Sequence, residues 1–162
     1  MAVSGIYTKV SGYYTLKLEV TETGTSTANN TSTLKWVLTL LTGSTNFSTV
    51  RVGYTVKIDG VTVGSLNYAN ATPKSMTRND SWQMASGTTT VTHGTDGSKT
   101  IAAGNITAVL NTQTGNIVPN ISLASKTALV LTTIPRASTV TSSAASTLMG
   151  TTRTITITRA SS

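Results

Sequence analysis

The sequence predicts an all-β protein, an antiparallel β-sandwich or jelly-roll-like domain followed by an extended C-terminal segment. Short segments in which apolar and polar residues alternate recur along the chain, and a period of two is typical of half-buried strands. Clusters of Gly, Asn and Ser separate these segments and indicate turns. No stretch shows apolar residues at the 3.6-residue spacing of an amphipathic helix.

The most regular strand patterns lie in the first half of the chain. Residues 13–21 place Tyr, Leu and Val on one face and Thr, Lys and Glu on the other. Residues 34–41 are the most apolar, which predicts a central strand. Asp59-Gly60 separates two further patterns, at 50–58 and 61–66. Because Asp-Gly favours the positive φ angles of a tight turn, these two strands are predicted to form a hairpin.

Shorter strand patterns follow at residues 82–85, 88–93, 100–102, 106–110, 120–125 and 128–134. Pro135 ends the last one, since proline cannot donate a hydrogen bond to a strand ladder. We therefore predict a β-sandwich domain over residues 1–136. Residues 137–162 are predicted to be a linker, 138–147, and an isolated strand, 152–158, that serve as a tether or as the start of a second β-module. The first ten residues fit either a strand or an anchoring arm.

The charge distribution argues against a nucleic-acid partner. The net charge of +7 comes from 12 basic residues against 5 acidic ones, but the basic residues are scattered singly along the chain. A dedicated groove or basic arm would need them clustered. No apolar run is long enough to cross a bilayer, and no charged-then-apolar leader follows Met1. We therefore expect no membrane partner and no export signal.

The residues that could support catalysis are few. His93 is the single histidine, and the nearest acid, Asp96, lies in the same predicted turn, so His93 is either a general base or a residue that shapes this turn. Glu19 and Glu22 are predicted to lie on the solvent side of a strand end. No spacing typical of a metal site is present. We expect no enzymatic activity, no catalytic or metal-binding residue and no cofactor.

Four residues in and beside the polar connection 67–80 form a candidate glycan-binding site: Tyr68, Asn70, Asn79 and Trp82. Aromatic faces stack on the apolar faces of sugars, and Asn side chains hydrogen-bond to hydroxyl groups. The alternative is that Trp82 is a core residue of a short strand, because aromatic residues supply much of the apolar surface in small β-sandwiches.

Three motifs carry a resemblance to a known family. They are Asn29-Asn30-Thr31-Ser32 before the strand with Trp36, then His93-Gly94-Thr95-Asp96-Gly97-Ser98-Lys99, and then Thr132-Thr133-Ile134-Pro135-Arg136-Ala137-Ser138. In order and spacing they resemble the NNTS, HxxDGSK and TIPRAS motifs in the first domain of tail-tip and host-specificity structural proteins of long-tailed phages of Gram-positive bacteria. The resemblance covers most of residues 11–138. It implies a β-sandwich used as a building block, without catalytic residues.

These observations predict a non-enzymatic bacteriophage virion structural protein, located in the tail, in a fibre or on the capsid. Its partners would be other virion proteins and further copies of itself, with a trimer favoured for a fibre. It would be made in the host cytoplasm and end in the virion. The alternative is a carbohydrate-binding module that recognises a glycan of the host cell surface.

Overall fold

The computed structural model describes residues 3–44, 49–112 and 118–136, together with the backbone of residues 139–142 and 155–158. In chain order the strands are β1 (Ser4–Ser11), β2 (Tyr14–Ser26), β3 (Thr31–Thr42), β4 (Thr49–Val50), β5 (Gly53–Ile58), β6 (Val61–Leu66), β7 (Lys74–Ser75), β8 (Ser81–Thr92), β9 (Thr100–Ile101), β10 (Ile106–Asn111), β11 (Ile121–Ala124), β12 (Leu129–Val130), β13 (Thr139–Ser142) and β14 (Ile155–Thr158). A short 3-10 helix, Tyr68–Asn70, lies between β6 and β7. The predicted all-β class is confirmed.

Two four-stranded antiparallel sheets form the sandwich. One has the order β1-β2-β3-β8 and the other β11-β10-β5-β6. Strand β1 lies beside β11 at one side of the sandwich, and β6 lies beside β8 at the other. The two sheets therefore pack face to face. Their edge strands β1 and β11 lie together at one side of the sandwich. Two-stranded ladders, β4 with β7 and β9 with β12, complete the part of the chain up to residue 136.

The core lies between these sheets and follows the alternation of the sequence. Strand β2 buries the side chains of every second residue from Tyr14 to Val20, and β3 does the same from Leu34 to Leu40. The second sheet contributes apolar residues of β5, β10 and β11 to the same cluster. Burial of this apolar surface is the main source of stability.

The predicted Asp59-Gly60 hairpin is present between β5 and β6. Asp59 has a φ of 54° and Gly60 a φ of 78°, the left-handed backbone that a two-residue turn needs. Strands β5 and β6 pair in antiparallel register with a bulge after Val56. The turn therefore sets the edge of the second sheet.

Several strand bounds differ from the prediction. Residues 82–85 and 88–93 were predicted as separate strands, but β8 runs through both, with a bulge where Leu38 pairs with Ala85 and Thr39 with Gln83. The last predicted strand, 128–134, is reduced to β12, although Leu131 and Ile134 beyond it remain buried. The first ten residues were predicted to be either a strand or an anchoring arm, and β1 (Ser4–Ser11) corresponds to the first alternative.

The C-terminal segment contains a second strand where a linker was predicted. Strand β13 falls within 138–147 and pairs with β14 in antiparallel register, from Thr139 opposite Thr158 to Ser142 opposite Ile155. The strand at the end of the chain is therefore not isolated, because its partner lies within this segment. The remaining residues of the predicted linker lie outside the described residues. The domain boundary at residue 136 stays a prediction.

Candidate functional site

The three sequence motifs meet at one place in the fold, which we call the motif junction: residues 29–32, 93–99 and 131–136. The backbone N–H of His93 donates to Asn30 O at 2.9 Å, and Asn30 Nδ2 donates back to His93 O at 2.9 Å and to Gly94 O at 3.0 Å. Asn30 has a φ of 53°, a conformation that Asn tolerates better than most residues. The first two motifs are thus tied together reciprocally.

The third motif binds to the turn of the second. Ile134 N donates to Gly97 O at 2.9 Å, and N of Leu131, the residue before the motif, donates to Lys99 O at 3.0 Å. Within the turn, Asp96 Oδ1 accepts hydrogen bonds from the backbone N–H and the hydroxyl of Ser98. These hydrogen bonds, the backbone one first, lower the pKa of Asp96. Asp96 therefore stabilises the turn as an ionised acceptor.

A buried polar cluster lies at the centre of the junction. Ser32 Oγ is 2.5 Å from Glu22 Oε1 and 2.7 Å from His93 Nε2, while His93 Nδ1 donates to Gly97 O at 2.8 Å. Glu22 Oε2 accepts two hydrogen bonds from Thr132, from the backbone N–H at 3.1 Å and from Oγ1 at 2.6 Å. Glu22, Ser32 and His93 are 6%, 0% and 5% exposed. The expectation that Glu22 faces solvent is wrong.

The ionisation of Glu22 reflects opposing influences. Burial, the largest of them, raises the pKa of this carboxyl group. The hydrogen bonds from Ser32 and Thr132, together with the charge of His93, outweigh burial, so that the pKa of Glu22 lies below its ordinary value. Glu22 is therefore a buried carboxylate that connects strand β2 to the third motif.

The cluster contains a serine, a histidine and a carboxylate, but their order differs from that of a nucleophilic triad. In a triad the carboxylate orients the imidazole, whereas Glu22 bonds to the hydroxyl of Ser32 and the carbonyl of Gly97 orients His93. All three side chains are also closed off from solvent. The cluster holds the turn and the third motif in place, and it offers no accessible nucleophile.

The residues predicted to bind glycan are only partly brought together. Trp82 is half-buried, and it lines a pocket of about 290 Å³. Asn70 lines the same pocket, and its other walls are Val52, Tyr54, Leu66, Ala71, Thr72 and Met84. The volume is close to the lower limit of roughly 300 Å³ for ligand pockets. Trp82 also packs against the core cluster. It therefore both lines a pocket and contacts the core.

The other two predicted residues have different roles in the same connection. The guanidinium of Arg51 lies 5.2 Å from the ring centroid of Tyr68, and Arg51 also donates to Ala71 O at 2.8 Å and to Ala69 O. Asn79 is a turn residue with a φ of 55°, and its N–H donates to Gly43 O. Neither Tyr68 nor Asn79 lines the pocket. Tyr54, which does line it, was not predicted.

Two features are absent from the described residues. Within the ranges described above, no group of three or more His, Asp or Glu side chains is placed to hold a metal ion. In the same part of the chain, no helix has the length and apolar character that a bilayer span needs.

The fold and the junction define an all-β sandwich module in which hydrogen bonds join the three motifs to one another. The chain belongs to a family of phage proteins: residues 7–162 match the family described as "Siphovirus protein of unknown function (DUF859)". Siphoviruses are long-tailed phages. The resemblance is therefore confirmed as far as membership of a family of long-tailed phage proteins. No curated protein and no solved structure matches the chain.

Proposed function

We propose that this protein is a non-enzymatic structural component of a long-tailed phage virion and that it acts by assembly. Membership of a siphovirus family supports a phage role, and the edge of the first sheet supports assembly. Strand β1 spans Ser4–Ser11 and, within the described residues, pairs on one side only, with β2. A strand of this length at a sheet edge offers a row of backbone donors and acceptors to another chain.

The side chains of β1 favour contact with a partner. Ile6 and Val10 lie on the same face of the strand, and each is 64% exposed. A groove of about 210 Å³ runs between β1 and the end of β11, where Ile6, Tyr7 and Thr8 face Ala124, Lys126 and Thr127. We propose that a strand of a second copy, or of a neighbouring virion protein, pairs with β1 and covers these side chains. A homotrimer is the state we favour for a fibre.

The double substitution Ile6→Lys with Val10→Lys is expected to abolish oligomerisation and incorporation into virions, because two buried charges would oppose the contact. Analytical ultracentrifugation and immunoblots of purified particles measure both. Since the two side chains are exposed in the isolated chain, the urea midpoint should match that of the wild type when both are measured at a concentration low enough for the wild type to be monomeric. Val130→Lys is the matched control, because Val130 is 63% exposed but lies on β12.

Immunogold labelling of intact particles would separate tail, fibre and capsid positions. A wild-type chain that is monomeric at every concentration would contradict the oligomer, and its absence from particles would contradict the virion role.

A second candidate function, carbohydrate binding, rests on the pocket that joins Trp82 to Asn70. Its apolar wall includes two partly exposed aromatic rings, Trp82 and Tyr54, and the Asn70 amide and Thr72 hydroxyl lie at the same pocket. This combination suits a pyranose ring, which presents one apolar face and a rim of hydroxyl groups. Arg51 supports the pocket by fixing the loop at Ala69 and Ala71.

Trp82→Ala is expected to remove glycan binding, measured on a glycan array and then by calorimetry with any glycan that binds. Because Trp82 is half-buried, the loss of stability should be smaller than the about 3 to 5 kcal/mol that a fully buried Trp costs. Asn70→Ala should weaken the same binding. Asn79→Gly is the control, since it keeps the left-handed turn and lies outside the pocket. Wild-type protein without affinity for any glycan would refute this candidate.

A further inference from the structure

The hydrogen-bond geometry of the buried cluster fixes how many protons it can hold. Gly97 O can only accept, so His93 Nδ1 carries a hydrogen. Ser32 has one hydroxyl hydrogen but lies within hydrogen-bond distance of two groups, Glu22 Oε1 at 2.5 Å and His93 Nε2 at 2.7 Å. If Glu22 were ionised and His93 neutral, one of these short contacts would join two acceptors with no hydrogen between them. One further proton must therefore lie in the cluster.

We infer that Glu22 and His93 form a buried carboxylate–imidazolium pair, bridged by Ser32, and that this pair is a pH-sensitive latch for the third motif. With the proton on His93, Nε2–H donates to Ser32 Oγ and the hydroxyl donates to Glu22, so every group is satisfied and the cluster is neutral overall. Loss of this proton leaves an unpaired acceptor contact and a net buried charge, both of which are costly in an apolar environment.

The latch acts on the end of the sandwich because Thr132 is held by the same carboxylate. Glu22 Oε2 accepts both donors of Thr132, and Gly97 O accepts from His93 and from Ile134 N. A change in the protonation of the cluster therefore affects the groups that accept hydrogen bonds from Thr132 and Ile134, which hold the segment 131–136. The inference stands apart from the proposed assembly function, since it concerns how this segment is held.

Four charged groups lie near the cluster. Asp96 lies in the turn with its pKa lowered, and Arg136 lies against Gly97 and adds to that lowering. Lys99 is paired with Asp59 at 2.6 Å. Among the described residues around the cluster, His93 is the one whose residue type ordinarily changes charge near neutral pH.

The sign of the pH dependence follows from proton linkage. An unfolded chain loses the proton of a histidine near about pH 6.5, whereas the short contacts of Ser32 to Glu22 and His93 require the additional proton in the folded cluster. If the folded state binds this proton and the unfolded state does not, stability falls as the pH rises. On the acid side, the lowered pKa of Glu22 gives a contribution that is present above its unfolded value and lost as the pH falls through the folded one.

NMR of the untagged chain tests the inference directly, because His93 is its only histidine. The ¹⁵N shifts of the ring should show an imidazolium at pH 7 in the wild type. In Glu22→Gln, the amide of the new side chain can donate to Ser32, whose hydroxyl then donates to a neutral His93. The ring of this variant should be neutral at pH 7 and should titrate at least one pH unit lower, a tenfold loss of proton affinity, equivalent to about 1.4 kcal/mol.

Glu19→Gln is the matched control, since Glu19 lies on the same strand but pairs with Lys17 at the surface at 2.8 Å; its titration curve should match that of the wild type. Hydrogen-exchange protection of the Thr132 and Ile134 amides, corrected for intrinsic rates, should fall between about pH 6 and pH 9 in the wild type. A neutral ring at pH 7 in the wild type would overturn the inference even if Glu22→Gln fails to fold. So would equal titration of wild type and Glu22→Gln, or protection that does not change with pH.

Discussion

Gly97→Ala is expected to destabilise the sandwich by about 2 to 5 kcal/mol. Gly97 has a φ of 81°, where a side chain costs about 1 to 2 kcal/mol. A Cβ atom at this position would also lie 2.0 Å from Ile134 O, so the turn of the second motif and the backbone of the third would have to separate. Overpacking of this kind adds about 1 to 3 kcal/mol. Urea denaturation followed by circular dichroism measures the change.

Gly60→Ala separates the two contributions of the Gly97 substitution. Gly60 has almost the same backbone, with a φ of 78°, but a Cβ atom there would meet no atom within 4 Å. This control should therefore cost only the backbone strain of about 1 to 2 kcal/mol. Equal losses at the two positions would show that the added Cβ atom at position 97 is accommodated without separating the turn from the backbone of Ile134.

The strands that the sequence predicted best are those whose alternation is uninterrupted and whose partners lie next to them. Strands β2 and β3 are adjacent in the sheet and in the chain, and every second residue of each, Tyr14 to Val20 and Leu34 to Leu40, faces one core. The Asp59-Gly60 hairpin was predictable because its two turn residues alone favour the required φ angles. Local chemistry was sufficient in these cases.

Glu22 shows where a local interpretation failed although the pattern contained the signal. It continues the series of every second residue from Tyr14 to Val20, and all of that series faces the core. A carboxylate at an inward position is costly unless buried partners satisfy it. Those partners are Ser32, ten residues away in the chain, and Thr132, more than a hundred residues away. Periodicity could have placed Glu22 inside, but only the fold identifies its partners.

The candidate glycan site was predicted in part for a similar reason. Trp82 and Asn70 meet because a 3-10 helix turns the connection after β6 back over β5 and β8. The same turn carries Tyr68 towards Arg51. Nothing in the spacing of polar and aromatic residues distinguishes these two outcomes, since the path of a long connection depends on tertiary contacts.

The motifs that carried the family resemblance contain residues that hold distant parts of the sandwich together by hydrogen bonds. All three converge on His93 and Gly97, which are surrounded by backbone hydrogen bonds and by the buried cluster. Their spacing along the chain therefore reflects the path of the strands between them. The surfaces that we propose for contacts with partners or ligands, the exposed edge of β1 and the pocket at Trp82, lie outside these motifs.

Trp36→Ala is expected to cost about 3 to 5 kcal/mol of unfolding free energy, because the indole fills the space between the two sheets. Trp36 is 3% exposed, and Gly64 and Gly87 are both packed against its ring: a Cβ atom would lie 2.6 Å from Cη2 at the first and 2.8 Å from Cζ2 at the second. Strands β6 and β8, which carry these glycines, thus both pack against the same indole. Urea denaturation compared with wild type measures the loss.

Two further variants test this explanation of the Trp36 effect. Trp36→Phe keeps most of the apolar volume and removes Nε1, which is buried with no hydrogen-bond partner among the described residues, so it should cost clearly less than Trp36→Ala. Gly64→Ala should destabilise the wild type but be tolerated in the Trp36→Ala background, where the space is vacant. A double-mutant cycle measures this coupling. Additive losses would mean that Gly64 is not required for packing against Trp36, and the close approach of β6 to the indole would need another cause.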